Sequence, residues 1–517
     1  MASDSHGSIS LSVYETARLV SLAPWLAGHR QRLRFLVRRQ RSDGGWGESD
    51  GYALVPTLSA TEALLVCLER DGPSVDGTLV AAADAGLRAL SRWLRPGISV
   101  PVPDLVAVEL IVPALVAAIN ASLDRLGARL GAERTGWREV RLVLPDGMDD
   151  RHLTRLRAEA EFGTDLPAKL AHSLEAFGEV APGASFARPR LGGVGCSPAA
   201  TAAWLGAQAP PDGAGREPVA YLEAAQDRAD GPVPVCTPVP VFERAWVLAA
   251  LASAGVEVTV PAEVLAGLYA AVGELGAAAG DGLPTDADTT STVLYVLARA
   301  GRPRSPASLC AYRVGDHFTS FPSERTVSTT TNAHVLRAMG AWLAHRPGES
   351  DRYGEAMAAL STWLCGQQEA DGTWSDKWHA SPYYATACCA VALAEHGTGQ
   401  HTGPAARRAV DWVLATARED GSWGRWRGTR EETAYAVQVL LLAGTGQPGT
   451  RITTAAARGA AFLLRPEASE HPPLWHDKDL YTPTRVVRAE VIAALHLASA
   501  DPAVSALLDR TDTAGGG

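Results

Sequence analysis

The second half of the chain repeats one unit at a spacing of about fifty residues, the range typical of repeat architectures. Each unit has an amphipathic helical segment, a loop with the pattern Asp-Gly-x-Trp, and a helical segment of small residues. Residues 371–374 (DGTW) and 420–423 (DGSW) are nearly identical, and residues 43–46 (DGGW) form a third such loop. A helical hairpin of this kind cannot bury its apolar face alone, so several must stack or close into a ring. The repeat predicts an all-α fold of α/α barrels.

The same pattern continues upstream of the clearest repeats. Polar loops are followed by helix starts rich in Ala, Thr and Ser at residues 57–61, 197–202 and 286–292. These starts are too widely spread for one barrel, and residues 182–240 are rich in Pro and Gly. The sequence therefore predicts two α/α-barrel domains with a boundary near the end of that segment.

Composition and charge exclude several classes of protein. Asp and Glu number 57 against 47 Lys and Arg, for a net charge of −10, and no basic stripe suggests a nucleic-acid partner. The seven cysteines include no CxxC pair, which fits a reducing compartment. The N-terminus lacks a signal-peptide pattern, and the most apolar stretches are broken by Pro, Asp and Glu. We expect a cytoplasmic protein without a membrane span.

Asp286 and Asp288, in the sequence TDADTTST, are the sharpest chemical feature. Read structurally, they are capping residues of a helix start. Their position at the phase of an inner barrel helix favours a chemical role as well. Burial can keep a carboxylic acid protonated, and a helix N-terminus stabilises the carboxylate left after proton transfer. Such a group could protonate a weak base such as a carbon–carbon double bond.

Further short motifs occur in a specific order along nearly the whole chain. Together they resemble bacterial class II terpene cyclases of the diphosphate-retaining type. The segments that carry the resemblance are YETARLV (14–20), QRSDGGWGE (40–48), SPAATAAWL (197–205), PVPVFERAW (238–246), DADTT (286–290), TTTNAHVLRAM (329–339), SPYYATA (381–387), DGSWGRWRGTREETAYA (420–436) and KDLYTPTRVVRAE (478–490).

The resemblance implies a βγ arrangement of two α-barrels with the active site between them. Residues 1–24 would be the first helix of the β domain, residues 25–250 the γ domain, and residues 251–517 the rest of the β domain. The middle aspartate of the family's DxDD motif is the general acid, which corresponds to Asp288, and Asp286 would orient it or tune its acidity. The substrate would be a prenyl diphosphate, and we expect a monomer or homodimer.

Thr289 replaces the last aspartate of the DxDD motif. The DxDTT variant resembles that of bacterial drimenyl diphosphate synthases, which act on the fifteen-carbon farnesyl diphosphate. This favours conversion of farnesyl diphosphate to drimenyl diphosphate, with a copalyl-type reaction of geranylgeranyl diphosphate as the alternative. The asparagine that serves as final base in plant copalyl synthases falls at Val235, so the sequence assigns no final base.

Three sets of candidate ligand-binding residues follow from this resemblance. For the diphosphate we expect a basic cluster, although a solvated basic face explains it equally well. The acidic loop at the first Asp-Gly-x-Trp resembles the region that contacts Mg²⁺ in the family, and an exposed turn is the competing interpretation. Aromatic residues near the motifs could stabilise carbocations, although most aromatic residues are core. The candidates are Lys478, Arg485 and Arg488 for the diphosphate, Asp43, Glu48 and Asp50 for Mg²⁺, and Trp246, Trp378, Tyr383 and Tyr384 for cations.

Other functions fit less well. Residues 149–153 (DDRHL) lack the final aspartate of the metal-binding DDxxD motif of class I terpene synthases, so we interpret them as a helix start. A protein prenyltransferase barrel would bind Zn²⁺, but Cys310 and His317 show no ligand spacing. A non-catalytic barrel that binds a ligand remains the third alternative, and the intact Asp288 argues against it.

Overall fold

The structure is a computed structural model that describes residues 7–71, 77–95, 97–98, 100–129, 137, 139–210, 215–444, 450–466 and 471–514. In these ranges the α-helices are α1 Val13–Leu22, α2 His29–Arg39, α3 Leu54–Asp71, α4 Gly77–Trp93, α5 Val108–Arg129, α6 Arg151–Glu161, α7 Pro198–Leu205, α8 Arg216–Asp227, α9 Pro240–Ser253, α10 Ala262–Ala271, α11 Ala287–Arg299, α12 Thr329–His345, α13 Ser350–Gly366, α14 Pro382–His396, α15 Thr402–Ala415, α16 Arg430–Gln438, α17 Thr450–Leu464, α18 Thr484–Ala500 and α19 Pro502–Ala514.

Shorter elements connect these helices. Turns of 3₁₀-helix cover Ala168–Val180, Pro306–Tyr312 and Pro347–Glu349, and a π-helical turn, Val439–Ala443, extends α16. Among the described residues the strands form only two short antiparallel hairpins. These pair β1 Arg313–Val314 with β2 His317–Phe318, and β3 Trp475–His476 with β4 Leu480–Tyr481. The prediction of an all-α fold is confirmed.

The second half of the chain closes into a ring of helices. Helix α9 packs on α11, followed in turn by α12, α14, α16 and α18, and α18 returns to α9. Helices α13, α15, α17 and α19 pack outside this ring. The inner helices bury small residues such as Ala333, Ala385 and Ala436, which let neighbouring helices approach closely. This is the predicted α/α barrel, and we call it the second barrel.

The first half forms a smaller ring. Helix α1 contacts α3, α3 contacts α5, the 3₁₀ segment Ala168–Val180 bridges α5 to α7, and α7 returns to α1. We call this ring the first barrel. Its core consists of residues between Tyr14 and Ala203 together with Ala380, Leu474 and Leu480, and it is separate from the core that extends from Cys196 to Val504. By its contacts α1 belongs to the first barrel and α9 to the second. We had expected residues 1–24 to belong to the β domain, which is the second barrel, and residues 25–250 to form the γ domain, which is the first. The boundaries of the domains remain a prediction.

The Asp-Gly-x-Trp loops hold neighbouring helices of the two layers together. The indole N–H groups of Trp46, Trp374 and Trp423 donate to carbonyl oxygens of the preceding outer helix at 2.7–2.8 Å, and all three side chains are fully buried. The backbone N–H of each tryptophan donates to a threonine hydroxyl of the next inner helix. Each loop therefore ties an outer helix to an inner one.

Glycine is required in these loops. Gly372 and Gly421 have φ values of 100° and 86°, in the left-handed region that favours glycine. A Cβ atom at either position would lie 2.6–2.7 Å from the carbonyl oxygen of Arg408 or Arg458 on the facing helix. The loop thus approaches the next outer helix too closely for a side chain.

The β3–β4 hairpin joins the two barrels. His476 Nε2 lies 2.9 Å from the Tyr52 hydroxyl of the first barrel, and the Val106 N–H donates to the Asp477 carbonyl at 3.1 Å. On its other side Trp475 packs among the aromatic residues of the second barrel. The hairpin therefore contacts both barrels at the end where the inner helices of the second barrel begin.

Candidate active site

The two motif aspartates lie at the N-terminus of α11, on the inner ring of the second barrel. Asp286 is the N-cap, and its Oδ1 accepts a hydrogen bond from the Thr289 N–H at 2.6 Å. The Thr290 hydroxyl donates to the Asp286 carbonyl at 2.5 Å. These bonds fix the first turn of the helix, which carries Asp288. The capping interpretation is thus correct for Asp286, and it leaves the Asp288 carboxyl free for other contacts.

Burial raises the pKa of Asp286 to about 7, and the charge of Asp288 adds to this, while the hydrogen bonds from Thr289 oppose it. Near neutral pH Asp286 is therefore protonated in part of the molecules and ionised in the rest. A partly neutral Asp286 repels an ionised Asp288 less than a full charge would.

Asp288 is paired with a histidine that the sequence analysis did not single out. His334 Nδ1 lies 2.7 Å from Asp288 Oδ1, and the two side chains are only 11% and 14% exposed. Burial alone would lower the pKa of His334, but the charge of Asp288 and its hydrogen bond, together with Cys388, raise it to about 10. His334 Nδ1 therefore donates to Asp288, and while Asp288 is ionised His334 is an imidazolium near neutral pH.

An aromatic wall extends from this pair. The Trp246 ring lies edge-on to His334 at 5.7 Å, and Trp246 Nε1 donates to the Tyr384 hydroxyl at 3.2 Å. The Tyr384 ring lies 4.9 Å from Trp475 and 5.4 Å from Tyr435. The four aromatic side chains of the wall, Trp246, Tyr384, Trp475 and Tyr435, are all buried.

The predicted cation-stabilising residues fall into two groups. Trp246 and Tyr384 belong to the aromatic wall and line a cavity that also contacts His334. Tyr383 instead packs on Trp412 of the outer layer at 4.5 Å. Trp378 lies beside Lys377 and Phe321, and its Nε1 donates to Ser320. Only Trp246 and Tyr384 therefore lie near Asp288.

The cavity that Trp246 and Tyr384 line also has polar residues in its lining. Glu490 is buried there, and Gln438 Nε2 donates to its Oε2 at 2.7 Å. Burial raises the pKa of Glu490 to about 7. Arg337 also lines the cavity and bonds to the Tyr295 hydroxyl and to Glu395.

The basic residues expected to bind the diphosphate are not brought together. Lys478 is fully buried between the barrels, where its ammonium contacts Glu15 at 2.7 Å and Glu175 at 2.8 Å. Arg485 Nη1 donates to Glu243 at 2.7 Å, and Arg488 is exposed. Lys478 is thus held in an ion-paired network, and these contacts do not support its role in binding the substrate.

The acidic loop expected to bind Mg²⁺ is engaged with protein donors. Asp43 accepts from the Gly45 N–H and pairs with Arg41, and Asp50 accepts from Trp426 Nε1 at 2.7 Å. Asp50 also pairs with Arg425. In this conformation these two carboxylates do not fit a magnesium site. The requirement for Mg²⁺ remains a prediction, with Glu48 half-buried in the same loop.

Two other expectations concern segments outside the site. Helix α6 begins at Arg151, directly after Asp149 and Asp150, as the interpretation of residues 149–153 as a helix start predicts. His317 pairs with Asp316 and stacks on Trp363, and Cys310 is exposed.

His334 and the carboxylate Glu431 are not indicated by any motif or spacing in the sequence. His334 lies inside the TTTNAHVLRAM segment, six residues after the Ser328 N-cap of α12. In the sequence it is a polar residue on a helix rich in small residues, which by itself does not indicate a catalytic role. Glu431 follows an N-capping threonine, so it reads as an ordinary acidic residue of a first helical turn. Neither pattern indicates which partner the fold supplies.

No helix in the described ranges is by itself long and apolar enough to cross a membrane. By length and composition alone one sharply bent pair passes that test, Thr484–Ala500 with Pro502–Asp509.

Comparison with known proteins identifies the family. Residues 324–492 match the squalene-hopene cyclase C-terminal domain. The chain is 46% identical over 500 residues to an ent-copalyl diphosphate synthase of Streptomyces sp. (strain KO-3988), covering 96% of this chain and 93% of that protein. It is 43% identical to a copalyl diphosphate synthase of Streptomyces cyslabdanicus, with the same shares covered.

A solved structure agrees along the whole length. The ent-copalyl diphosphate synthase from Streptomyces platensis superposes with a TM-score of 0.90 at 48% identity, with 96% of each chain covered. Together with the aspartate motif at the mouth of the second barrel, these similarities show that the chain is an enzyme of the class II terpene cyclase family.

Proposed function

We propose that this enzyme cyclises geranylgeranyl diphosphate to a bicyclic copalyl-type diphosphate and leaves the diphosphate attached. The observation that carries the proposal is the buried Asp288–His334 pair at 2.7 Å, beside an aromatic wall. The twenty-carbon substrate is supported by the relatives, which are named for copalyl diphosphate.

Farnesyl diphosphate, favoured by the DxDTT motif, is the second candidate. In the structure Thr289 is buried, and its N–H caps Asp286. These contacts do not select for the length of the substrate, because that selection depends on the depth of the cavity. The motif variant therefore gives little reason to prefer fifteen carbons, and the relatives favour twenty.

In the proposed first step, Asp288 protonates the terminal double bond of the prenyl chain. Oδ1 accepts the hydrogen bond from His334, so Oδ2 carries the proton that is transferred. The resulting cation is attacked by the next double bonds, which close two fused rings. The His334 imidazolium and the N-terminus of α11 stabilise the Asp288 carboxylate that remains. The reaction occurs at the end of the chain remote from the diphosphate, so the C–O bond stays intact.

Trp246 and Tyr384 are the proposed cation-stabilising residues, because the face of an aromatic ring attracts positive charge. Arg485 and Arg488 remain the proposed anchors for the diphosphate. Arg485 would have to exchange its contact with Glu243 for the substrate.

The proposal is tested by incubating the purified enzyme separately with geranylgeranyl and farnesyl diphosphate, with and without Mg²⁺. Products are then dephosphorylated and identified by mass spectrometry and NMR. We expect a bicyclic twenty-carbon alcohol, with kcat/KM at least about 10²-fold higher for the longer substrate, since each methylene in an apolar pocket contributes about 1–3 kcal/mol. Efficient formation of drimenol with no reaction of geranylgeranyl diphosphate would reverse the assignment.

A second prediction concerns the histidine. His334→Gln removes the cation beside Asp288, so the carboxylate left after proton transfer loses its stabilisation. We expect kcat to fall by about 10²-fold, in the range known for removal of one group that stabilises developing charge. His345→Gln, on the exposed end of the same helix, is the control and should keep wild-type turnover.

The Asp288–His334 pair should also make the stability of the folded protein depend on pH. Because the pKa of His334 is raised to about 10 in the folded state, its contribution is fully present below the unfolded value of 6.5 and is lost as the pH rises through 10. The difference in melting temperature between wild type and His334→Gln should therefore shrink as the pH rises from about 6.5 to 10. A constant difference between pH 6 and 11 would contradict the charged pair.

A further inference from the structure

Glu431 is a buried carboxylate with one oxygen crowded and the other free. The residue is fully buried at the start of α16. Its Oε1 accepts from Trp475 Nε1 at 2.7 Å, from the Tyr435 hydroxyl at 3.1 Å and from His379 Nε2 at 3.2 Å. Its Oε2 has no hydrogen-bond partner among the described residues.

The donors fix the orientation of this carboxyl group. His379 Nδ1 accepts from the Ser381 N–H, so the ring proton lies on Nε2 and points to Glu431. Buried polar atoms in proteins are almost always hydrogen-bonded, so a free carboxylate oxygen in an aromatic surrounding calls for an explanation. A free lone pair held in place by neighbours is what a general base requires.

Glu431 and the acid pair are connected by the same aromatic wall. Trp246 contacts His334 at one end and Tyr384 at the other. Tyr384 in turn contacts Trp475 and Tyr435, the two aromatic donors to Glu431. Burial raises the pKa of Tyr481, and both Glu431 and Asp288 are among the charges that add to this shift. Both carboxyl groups therefore act electrostatically on one hydroxyl.

We propose that Glu431 Oε2 is the base that removes the proton ending the cyclisation. The C–H bond next to the cationic carbon breaks, its electron pair forms the new double bond, and the proton moves to Oε2. One proton leaves Asp288 and one arrives at Glu431 in each turnover, and both groups exchange protons with water between turnovers. This inference rests on the proposed function.

Two neighbouring carboxylates fit this role less well. In Glu432, Oε1 accepts from the Ser381 hydroxyl and the Arg425 N–H, and Oε2 accepts from the Thr429 hydroxyl. Both carboxylate oxygens of Glu432 are thus occupied by hydrogen-bond donors. In Glu490, Oε2 accepts a hydrogen bond from Gln438 Nε2 at 2.7 Å, whereas Glu431 Oε2 has no hydrogen-bond partner among the described residues.

Glu431→Gln tests the proposal, because glutamine keeps the size of the side chain but is not basic. We expect the rate of formation of the wild-type alkene to fall by about 10²-fold, within the range for loss of a general base. The longer-lived cation should be captured by water, so a hydroxylated bicyclic diphosphate should become the main product. In H₂¹⁸O its new hydroxyl group should carry the label.

Glu432→Gln is the matched control, since it makes the same change at the next residue and should give only the wild-type alkene. Wild-type product at near wild-type rate from Glu431→Gln overturns the proposal, as does a shift of product with Glu490→Gln instead. If Glu431→Gln does not fold, Glu431→Asp is measured in its place, because aspartate keeps the carboxylate but withdraws it by one methylene. Unchanged rate and product in Glu431→Asp then count against the role. Failure of the wild-type enzyme to cyclise geranylgeranyl diphosphate concerns the proposed function alone.

Discussion

Asp288→Asn should abolish turnover of geranylgeranyl diphosphate, with a loss of about 10⁴-fold or more, at or beyond the upper end of the range for general acid catalysis. The amide keeps the size of the side chain and can still accept from His334, but it has no acidic proton. Water is too weak an acid to protonate an alkene in its place. The measurement is single-turnover conversion by the purified variant, with product detected by mass spectrometry.

Two further substitutions make this result specific. Asp281→Asn changes an exposed aspartate on the same loop and should leave turnover unchanged. Asp286→Asn should reduce turnover less than Asp288→Asn, because Asp286 acts by holding the first turn of α11. Near wild-type turnover by folded Asp288→Asn would remove the residue from the chemistry.

Lys478→Met should cause the largest loss of stability, because it leaves Glu15 and Glu175 buried without their shared cation. Removing one partner of a buried ion pair typically costs about 3–5 kcal/mol. Burial, opposed by Lys478 itself, raises the pKa of Glu15 to about 7. Below that pH the carboxylate takes up a proton and needs its cation less. The loss should therefore be large at pH 8 and smaller at pH 5.

Urea unfolding of wild type and Lys478→Met at both pH values checks this expectation, with the first transition compared because a chain with two barrels need not unfold in one step. Lys169→Met, at an exposed position, is the control and should change the midpoint little. If Lys478→Met keeps its stability but raises KM for the substrate, the lysine contacts the diphosphate, as the sequence analysis expected.

The architecture could be predicted from the sequence because the fold is a repeat. Residues 371–374 and 420–423 share one pattern, and in each the glycine, the aspartate and the tryptophan have a local role that repeats with the helices. Local roles can be predicted from local sequence. The position of Asp288 at an inner helix start follows from the phase of the same repeat.

The partners of the acid could not be predicted in this way. His334 lies 46 residues from Asp288, and Glu431 receives its donors from His379, 52 residues away, and Trp475, 44 residues away. Which helices become neighbours depends on closure of the ring, and no local pattern encodes it. The basic cluster at residues 478–488 could not be interpreted from local sequence either. Lys478 and Arg488 lie close together in the sequence, but Lys478 is buried between the barrels and Arg488 is exposed.

By itself, therefore, the sequence determined an all-α repeat fold, the Asp-Gly-x-Trp loops between its helices, and an aspartate pair at an inner helix start. These depend on contacts within one helical hairpin, where spacing fixes geometry. Only the tertiary structure decided that Asp288 meets His334, that Lys478 is enclosed by Glu15 and Glu175, and that Glu431 keeps one free oxygen. Each depends on side chains from distant segments that meet only when the rings close and the barrels pack together.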